Sequence, residues 1–427
     1  MDPAGIPDAR RTRRFLLLLA ATALAARLAV AFGVPESATD YPDARQYRQV
    51  ARNIVEGRGV VIDEGRRAQR EPGYPSFLAA HVAIFGDVEL PVRVSQSVVG
   101  TASVLLLAML GAALGFPRAG LLAAAAAALY PFLLYYTATL LRETPYVFLL
   151  LLHLLLVARG RTDRSPLLAA AAGIAGGLAA LTHAGHLPFL IWLFPFWLLL
   201  PAGAPPAEAP ANAPSSMSTS FNGKIPGRAW TWYALHLIIA LGVVTPWMFR
   251  NAEVAGRWTM TLRTGEALYE AFGPGATGGA HHDRIAFPEG WMSWPEAERD
   301  DRLRAMAWTA VRNDPARAVR LAGTKFLRFW NVIPNDPGHR TPLLAAVSLL
   351  TFGPVLAGAL AAAWRLRRRA PGEVLFLAAL PLYTTLLHMI FIGSIRYRLP
   401  VEPALILLAA VGLTFRRDTA PATAGKT

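Results

Sequence analysis

Long apolar runs recur along this chain, separated by short polar turns and three longer polar stretches. The runs fall at about 15–34, 91–114, 119–136, 144–158, 166–182, 186–200, 230–249, 343–364, 374–392 and 399–415. A helix needs about 20 apolar residues to cross a bilayer, so the pattern predicts about ten membrane helices, several of them short. Residues 43–56 follow another rule. Ala44, Tyr47, Val50, Ala51, Ile54 and Val55 recur at helical spacing, with Arg45, Arg48, Gln49, Arg52 and Asn53 opposite. That segment is too polar to span and is predicted to lie flat at the interface. Residues 57–69 are turn-rich, and 75–85 read as a second short interfacial or re-entrant helix.

Composition strengthens this picture. The 427 residues are 54% hydrophobic and only 16% charged, against about 25% charged in soluble domains. Mean hydropathy is +0.36. The fold class is therefore all-α and polytopic. The absence of cysteine removes disulfides and thiolate chemistry. A net charge of +14 does not point to nucleic acid here, because its distribution follows the positive-inside rule. With the N-terminus inside, the inner loops hold Arg118; Arg159, Arg161 and Arg164; Lys224 and Arg228; Arg365 and Arg367 to Arg369; and Arg416 with Arg417. The short outer loops hold Arg142, Arg396 and Arg398. Both termini are thus expected to be cytoplasmic, with membrane lipids as constant partners. A signal-peptide reading of the first run, with Ala29-Val30-Ala31 as its cleavage site, competes with a first span; the later runs favour the span.

The expected organisation is an N-terminal membrane module over 1–201, with a first outer loop at 35–90. A Pro/Ala/Ser-rich cytoplasmic linker follows at 202–229, then a span at 230–250. An extracytoplasmic segment occupies 251–341, helical over 294–313, and C-terminal spans with a tail fill 342–427.

The candidate chemistry lies on the outer face. Asp43 opens the amphipathic segment, and Gln46 stands where the partner in a capping box would stand, so a helix cap is one reading of it. General base is the other. Asp40 is a second carboxylate of the same loop. Glu143 begins the 144–158 run and faces the same compartment. Arg70, Arg396 and Arg398 are placed where a lipid phosphate would lie, and guanidinium groups bind phosphate bidentately. Arg27 sits inside the first run, where a charge is costly without a partner. His183, His186 and the His281-His282-Asp283 cluster could bind a metal, but no helical metal-binding spacing is present. No cofactor is predicted, and a divalent metal has no supporting motif.

These pieces resemble the GT-C superfamily of integral membrane glycosyltransferases, in particular the bacterial relatives of protein O-mannosyltransferases and of the lipid A aminoarabinose transferase. The resemblance is carried by Arg27-Leu28, Asp43-Ala44-Arg45-Gln46-Tyr47, Arg70-Glu71-Pro72-Gly73-Tyr74-Pro75, Pro246-Trp247-Met248-Phe249-Arg250-Asn251 and Arg396-Tyr397-Arg398-Leu399-Pro400. It implies a GT-C-like bundle and a polyprenyl-phosphate sugar donor. The acceptor would be a lipid, glycan or protein on the outer face of the bacterial cytoplasmic membrane. It implies catalytic roles for Asp43 and Glu143. Substrate contacts fall to Asp40, Tyr47, Arg70, Glu71, Tyr74, Arg27, Arg396 and Arg398. Ala44 after Asp43 departs from the acidic pair common in protein O-mannosyltransferases. A transporter or flippase of lipid-linked sugars is the alternative; it would use the same arginines without a base.

Overall fold

The computed structural model describes residues 9–200, 227–279, 284–335 and 340–415. Most of the 202–229 linker, the His281-His282-Asp283 cluster and Arg416 with Arg417 lie outside the described residues. Seventeen α-helices make up the described chain, with no strand among them. Six helical stretches are long and apolar enough to cross a membrane: Arg10–Gly33, Glu89–Ala113, Arg228–Ala255, Pro342–Leu366, Pro371–Ile390 and Ile395–Thr414. The other four expected runs are helices of 12 to 17 residues.

In chain order the first helices are α1 (Ala9–Gly33), α2 (Pro42–Val55), α3 (Gly73–Phe85), α4 (Glu89–Ala113), α5 (Pro117–Ala128), α6 (Pro131–Tyr135), α7 (Glu143–Arg159), α8 (Pro166–Thr182) and α9 (His186–Leu198). Then come α10 (Gly227–Ala255), α11 (Thr264–Phe272), α12 (Glu296–Asn313), α13 (Pro315–Trp330), α14 (Pro342–Leu366), α15 (Pro371–Ile390), α16 (Ile395–Arg398) and α17 (Glu402–Thr414). The expected 119–136 run is two pieces. Pro131 has no N–H to donate, so α5 stops and α6 restarts. The loose carbonyls are taken by Arg27, whose Nη1 donates to Ala128 O at 3.1 Å and whose Nη2 donates to Ala127 O at 3.4 Å.

Small residues allow the membrane helices to approach closely. A Cβ on Gly111 of α4 would stand 2.4 Å from the Cα of Gly120 on α5. Likewise, Gly173 of α8 faces the backbone of His236 on α10. Around these contacts α4 packs on α1, α5 and α7, while α17 packs between α5 and α14. One continuous apolar core runs from Leu19 and Val104 through Leu150, Trp197 and Phe376 to Leu407.

The segment 251–341 forms α11, α12 and α13. The expected 294–313 helix is α12, preceded by Pro295; α13 extends it after a cap from the Asp314 side chain to Arg317 N–H at 2.8 Å. This segment grips the first loop. The Glu296 carboxylate accepts from the N–H groups of Arg67 (2.8 Å) and Ala68 (3.0 Å), and Leu262 N–H donates to Ala68 O at 2.9 Å. The residues just before Arg70 are thereby fixed from above.

Candidate active site

Helix α2 buries Ala44, Tyr47, Val50 and Ala51 against α3, as its spacing predicts. It also buries Asn53, expected on the polar side, because the Asn53 amide donates to Val61 O and Ile62 O, and it leaves Val55 exposed. Its N-cap residue is Tyr41, and Pro42 occupies the first turn. Asp43 caps nothing: the start of α2 has no side-chain cap. The capping-box reading is therefore wrong, because stronger partners compete for both groups. Gln46 Oε1 accepts from Arg70 Nε at 3.0 Å. The Asp43 carboxylate receives Arg70 Nη2 on Oδ1 at 2.6 Å and Arg396 Nη1 on Oδ2 at 2.7 Å. Arg396 also donates through Nε to Glu143 Oε1. Four charged groups from the start of α2, the Pro-Gly turn, the start of α7 and the helix α16 thus form one chain: Arg70, Asp43, Arg396, Glu143.

Each member is held from behind. Gly73 is required where α3 begins, since a Cβ there would meet Thr182 Oγ1 at 2.6 Å and Leu181 O at 2.8 Å. That contact presses the Arg70-Glu71 turn against the α8–α9 turn. Glu71 accepts the Ala184 N–H and Arg142 Nη1, both at 3.0 Å. The Arg70 guanidinium lies over the Tyr47 ring, 5.0 Å from its centroid. Tyr74 packs edge-on to Tyr47 and donates its hydroxyl to Gln96 Oε1 at 3.0 Å. Gln96 in turn donates to Thr137 O and Thr139 O, shaping the loop before Arg142. Behind Arg396, the Tyr397 ring stacks on His388 with centroids 4.6 Å apart.

Electrostatics follow from this crowding. Burial alone would raise the Asp43 pKa, but the guanidinium groups of Arg70, Arg396 and Arg263 outweigh it and hold the carboxyl well below its ordinary value. Glu71 is lowered as well, with burial opposed by Arg142 and the Ala184 N–H. The site remains reachable: Asp43 and Arg396 keep 23% and 20% of their side-chain exposure. Glu143 Oε2 is buried and has no hydrogen-bond partner among the described residues. It is an unused acceptor on the edge of the charged chain.

The other sequence candidates are placed elsewhere. Arg398 is fully buried, on Glu402 Oε1 at 2.9 Å and Asn331 O at 2.6 Å, and faces away from Asp43. Arg27 lies inside the bundle on the α5 carbonyls. Asp40 is exposed and pairs with Arg45 at 2.7 Å. Tyr47, Glu71 and Tyr74 border the site as supports. Sequence reasoning missed Arg142, Arg263 and Gln46 as members. Arg142 had a signal in its place beside Glu143, and Gln46 in its place in the Asp43–Tyr47 stretch. It also missed a line of imidazoles. Tyr146 OH, His186, His153 and His236 follow one another at 3.2, 3.2 and 3.0 Å. Among the described residues no group of three or more His, Cys, Asp or Glu is arranged to hold a metal.

Comparison with known proteins adds to this geometry. Residues 69–205 match the family model described as dolichyl-phosphate-mannose-protein mannosyltransferase, a stretch that includes Arg70 and Glu143 but neither Asp43 nor Arg396. No curated protein matches in sequence. Among solved structures, the chain is similar to the archaeal oligosaccharyltransferase AglB from Archaeoglobus fulgidus, in complex with an inhibitory peptide and a dolichol-phosphate. Identity is 12%, coverage 95% of this chain and 50% of that one, and the TM-score 0.52. The Archaeoglobus fulgidus oligosaccharyltransferase in the apo form superposes with a TM-score of 0.53 at 13% identity, covering 92% and 50%. The chain spans about half the length of these structures. These likenesses show a shared all-α architecture, and the family match is confined to residues 69–205.

Proposed function

We propose that this GT-C-fold membrane protein is a glycosyltransferase. It moves a sugar from a polyprenyl-phosphate donor to an acceptor hydroxyl at the outer face of the bacterial cytoplasmic membrane, with both termini in the cytoplasm. The observation that carries the reading is Arg396 shared between Asp43 and Glu143, with Arg70 on the far side of Asp43. Carboxylates and guanidinium groups alternate there at the membrane boundary, which suits a reaction that removes a proton and releases a phosphate.

The chemistry balances without a further reactant. Asp43 accepts the proton of the acceptor hydroxyl as its oxygen forms a bond to the anomeric carbon. The bond from that carbon to phosphate breaks, and the phosphate leaves with the electron pair as polyprenyl phosphate. Guanidinium groups offset the charge that develops on it, so no general acid is required. Donor binding also tunes the base. A phosphate that draws Arg396 or Arg70 from Asp43 removes the cations that depress its pKa, and the carboxylate becomes more basic where the proton must go. Glu143 Oε2, with its free lone pairs, orients a sugar or acceptor hydroxyl. A single displacement inverts the anomeric configuration.

The test uses proteoliposomes loaded with labelled polyprenyl-phosphate sugars and envelope acceptors, comparing the native chain with Asp43→Asn. Donor consumption by the native chain, with donor bound but not turned over by Asp43→Asn, supports the proposal. A product of retained configuration, or movement of intact donor across the bilayer by both chains, overturns it.

A further inference from the structure

The end of the bundle opposite Asp43 holds a polar cavity. The α7–α8 turn and the first turns of α10 border an open cavity of about 680 Å³, within the range of ligand sites, about 300–1,000 Å³. Arg161, Arg164 and Arg228 line it, with Thr162 and Thr231 between them and Trp232, Pro166 and Leu235 as an apolar wall. Among the described residues no carboxylate lines it. Asp163, the acid of the turn, directs Oδ1 to the Ser165 N–H at 3.0 Å.

Among the described residues these arginines are not matched by anions as those beside Asp43 are. Arg161 spends Nε on Leu200 O at 2.7 Å and Nη2 on Leu198 O at 2.9 Å, closing the end of α9. Its Nη1 is buried and has no hydrogen-bond partner among the described residues. Burial and the neighbouring Arg164 both lower the Arg161 pKa, the mark of positive charge gathered without a counter-charge. A buried donor left unmade is costly, and an anion in the cavity would satisfy it.

We infer that this cavity binds a phosphate group, and specifically the headgroup phosphodiester of an anionic phospholipid in the leaflet it faces. Guanidinium forks suit phosphate oxygens, and basic pockets between membrane helices take anionic headgroups. Lipid is favoured over a free phosphate by the surroundings. Trp232, Pro166 and Leu235 offer apolar surface for a glycerol backbone, and beside the cavity Leu167 and Trp230 are 81% and 50% exposed, as lipid-facing residues are. This site is independent of the transferase reading.

The full chain in neutral detergent is titrated with dioleoyl-phosphatidylglycerol, dioleoyl-phosphatidylcholine or inorganic phosphate while thermal unfolding is followed. Phosphatidylglycerol is expected to raise the midpoint saturably, and phosphatidylcholine is not. The double variant Arg164→Gln/Arg228→Gln, which leaves the α9 contacts of Arg161 intact, should weaken the apparent affinity on the order of tenfold or more. The same change at Arg368 and Arg369, in the other basic turn, should not. An unchanged titration in the Arg164/Arg228 variant overturns the site. A rise with inorganic phosphate that phosphatidylglycerol does not exceed overturns the lipid assignment and keeps the phosphate site.

Discussion

Arg396 and Arg398 stand two residues apart on the short helix α16, and each meets a carboxylate. Arg396 reaches out to two of them, Asp43 and Glu143, drawn from distant parts of the chain, and stays one-fifth exposed. Arg398 turns inward to Glu402, one helical turn ahead, with 0% and 1% of the two side chains exposed. Its Nη1 reaches the carbonyls of Phe329 and Asn331 at the end of α13, while Nη2 is buried with no hydrogen-bond partner among the described residues. The guanidinium group also lies over the Phe352 ring, 3.3 Å from the centroid. The same residue type therefore serves two ends. A closed pair in low dielectric has no exchange partner and fixes where α13, α16 and α17 meet. A shared, water-accessible pair can trade one carboxylate for an incoming phosphate.

That contrast can be broken by substitution. The largest effect is expected at Asp43: Asp43→Asn should reduce turnover about 10²–10⁴-fold, the usual worth of a positioned base, with donor binding retained. Next comes Arg398→Met, which strands Glu402 and should cost about 3–5 kcal/mol of stability, read as a fall in the unfolding midpoint. Arg398→Met/Glu402→Met should recover most of it, because the pair is removed whole. Arg396→Gln should act chiefly on turnover. It should cut turnover about 10²–10³-fold and lower the unfolding midpoint less than Arg398→Met does, because its pairs keep some exposure.

A pH profile sharpens the same comparison. Asp43 has a depressed pKa in the folded chain. Its ion pairs therefore stabilise above the unfolded-state pKa and are lost as pH falls through the folded value. The acid limb of kcat/KM should lie below the ordinary carboxylate range and move to higher pH in Arg396→Gln; an unmoved limb would show that Asp43 is not the titrating base. The smallest effect is expected at the exposed Asp40–Arg45 pair, where Asp40→Ala should change stability by about 0–1 kcal/mol and leave turnover intact.

How far the sequence reached is clearest at these same residues. The order of apolar runs and the positive-inside bias put Asp43, Arg70, Glu143 and Arg396 at one end of the bundle, and there the structure joins them. What periodicity could not supply was direction. Arg396 and Arg398 look alike in the sequence, but on α16 they point to opposite sides. Asp43 has the spacing of a capping residue, and only the arrival of Arg70 and Arg396 decides against it. Arg263 was hidden for another reason: it comes from the soluble-looking segment, whose return to residues 67–69 is a tertiary pairing with no local signal. The split between α5 and α6 was visible in Pro131, but its consequence depended on Arg27 across the helix pair.

That split has a bearing on depth. Arg27 takes the carbonyls that α5 leaves open, and Gly100 admits its side chain by having none: a Cβ there would stand 2.8 Å from Arg27 Nε and 3.1 Å from Thr137 Cγ2. One contact among α1, α4 and α5 thus sets where α5 ends, and hence the height from which α6 and the loop to Arg142 and Glu143 are hung. The position of the charged chain along the bundle is set in part by a residue that touches no member of it. Loop sequences could drift around the site while its vertical coordinate stayed pinned from within the membrane.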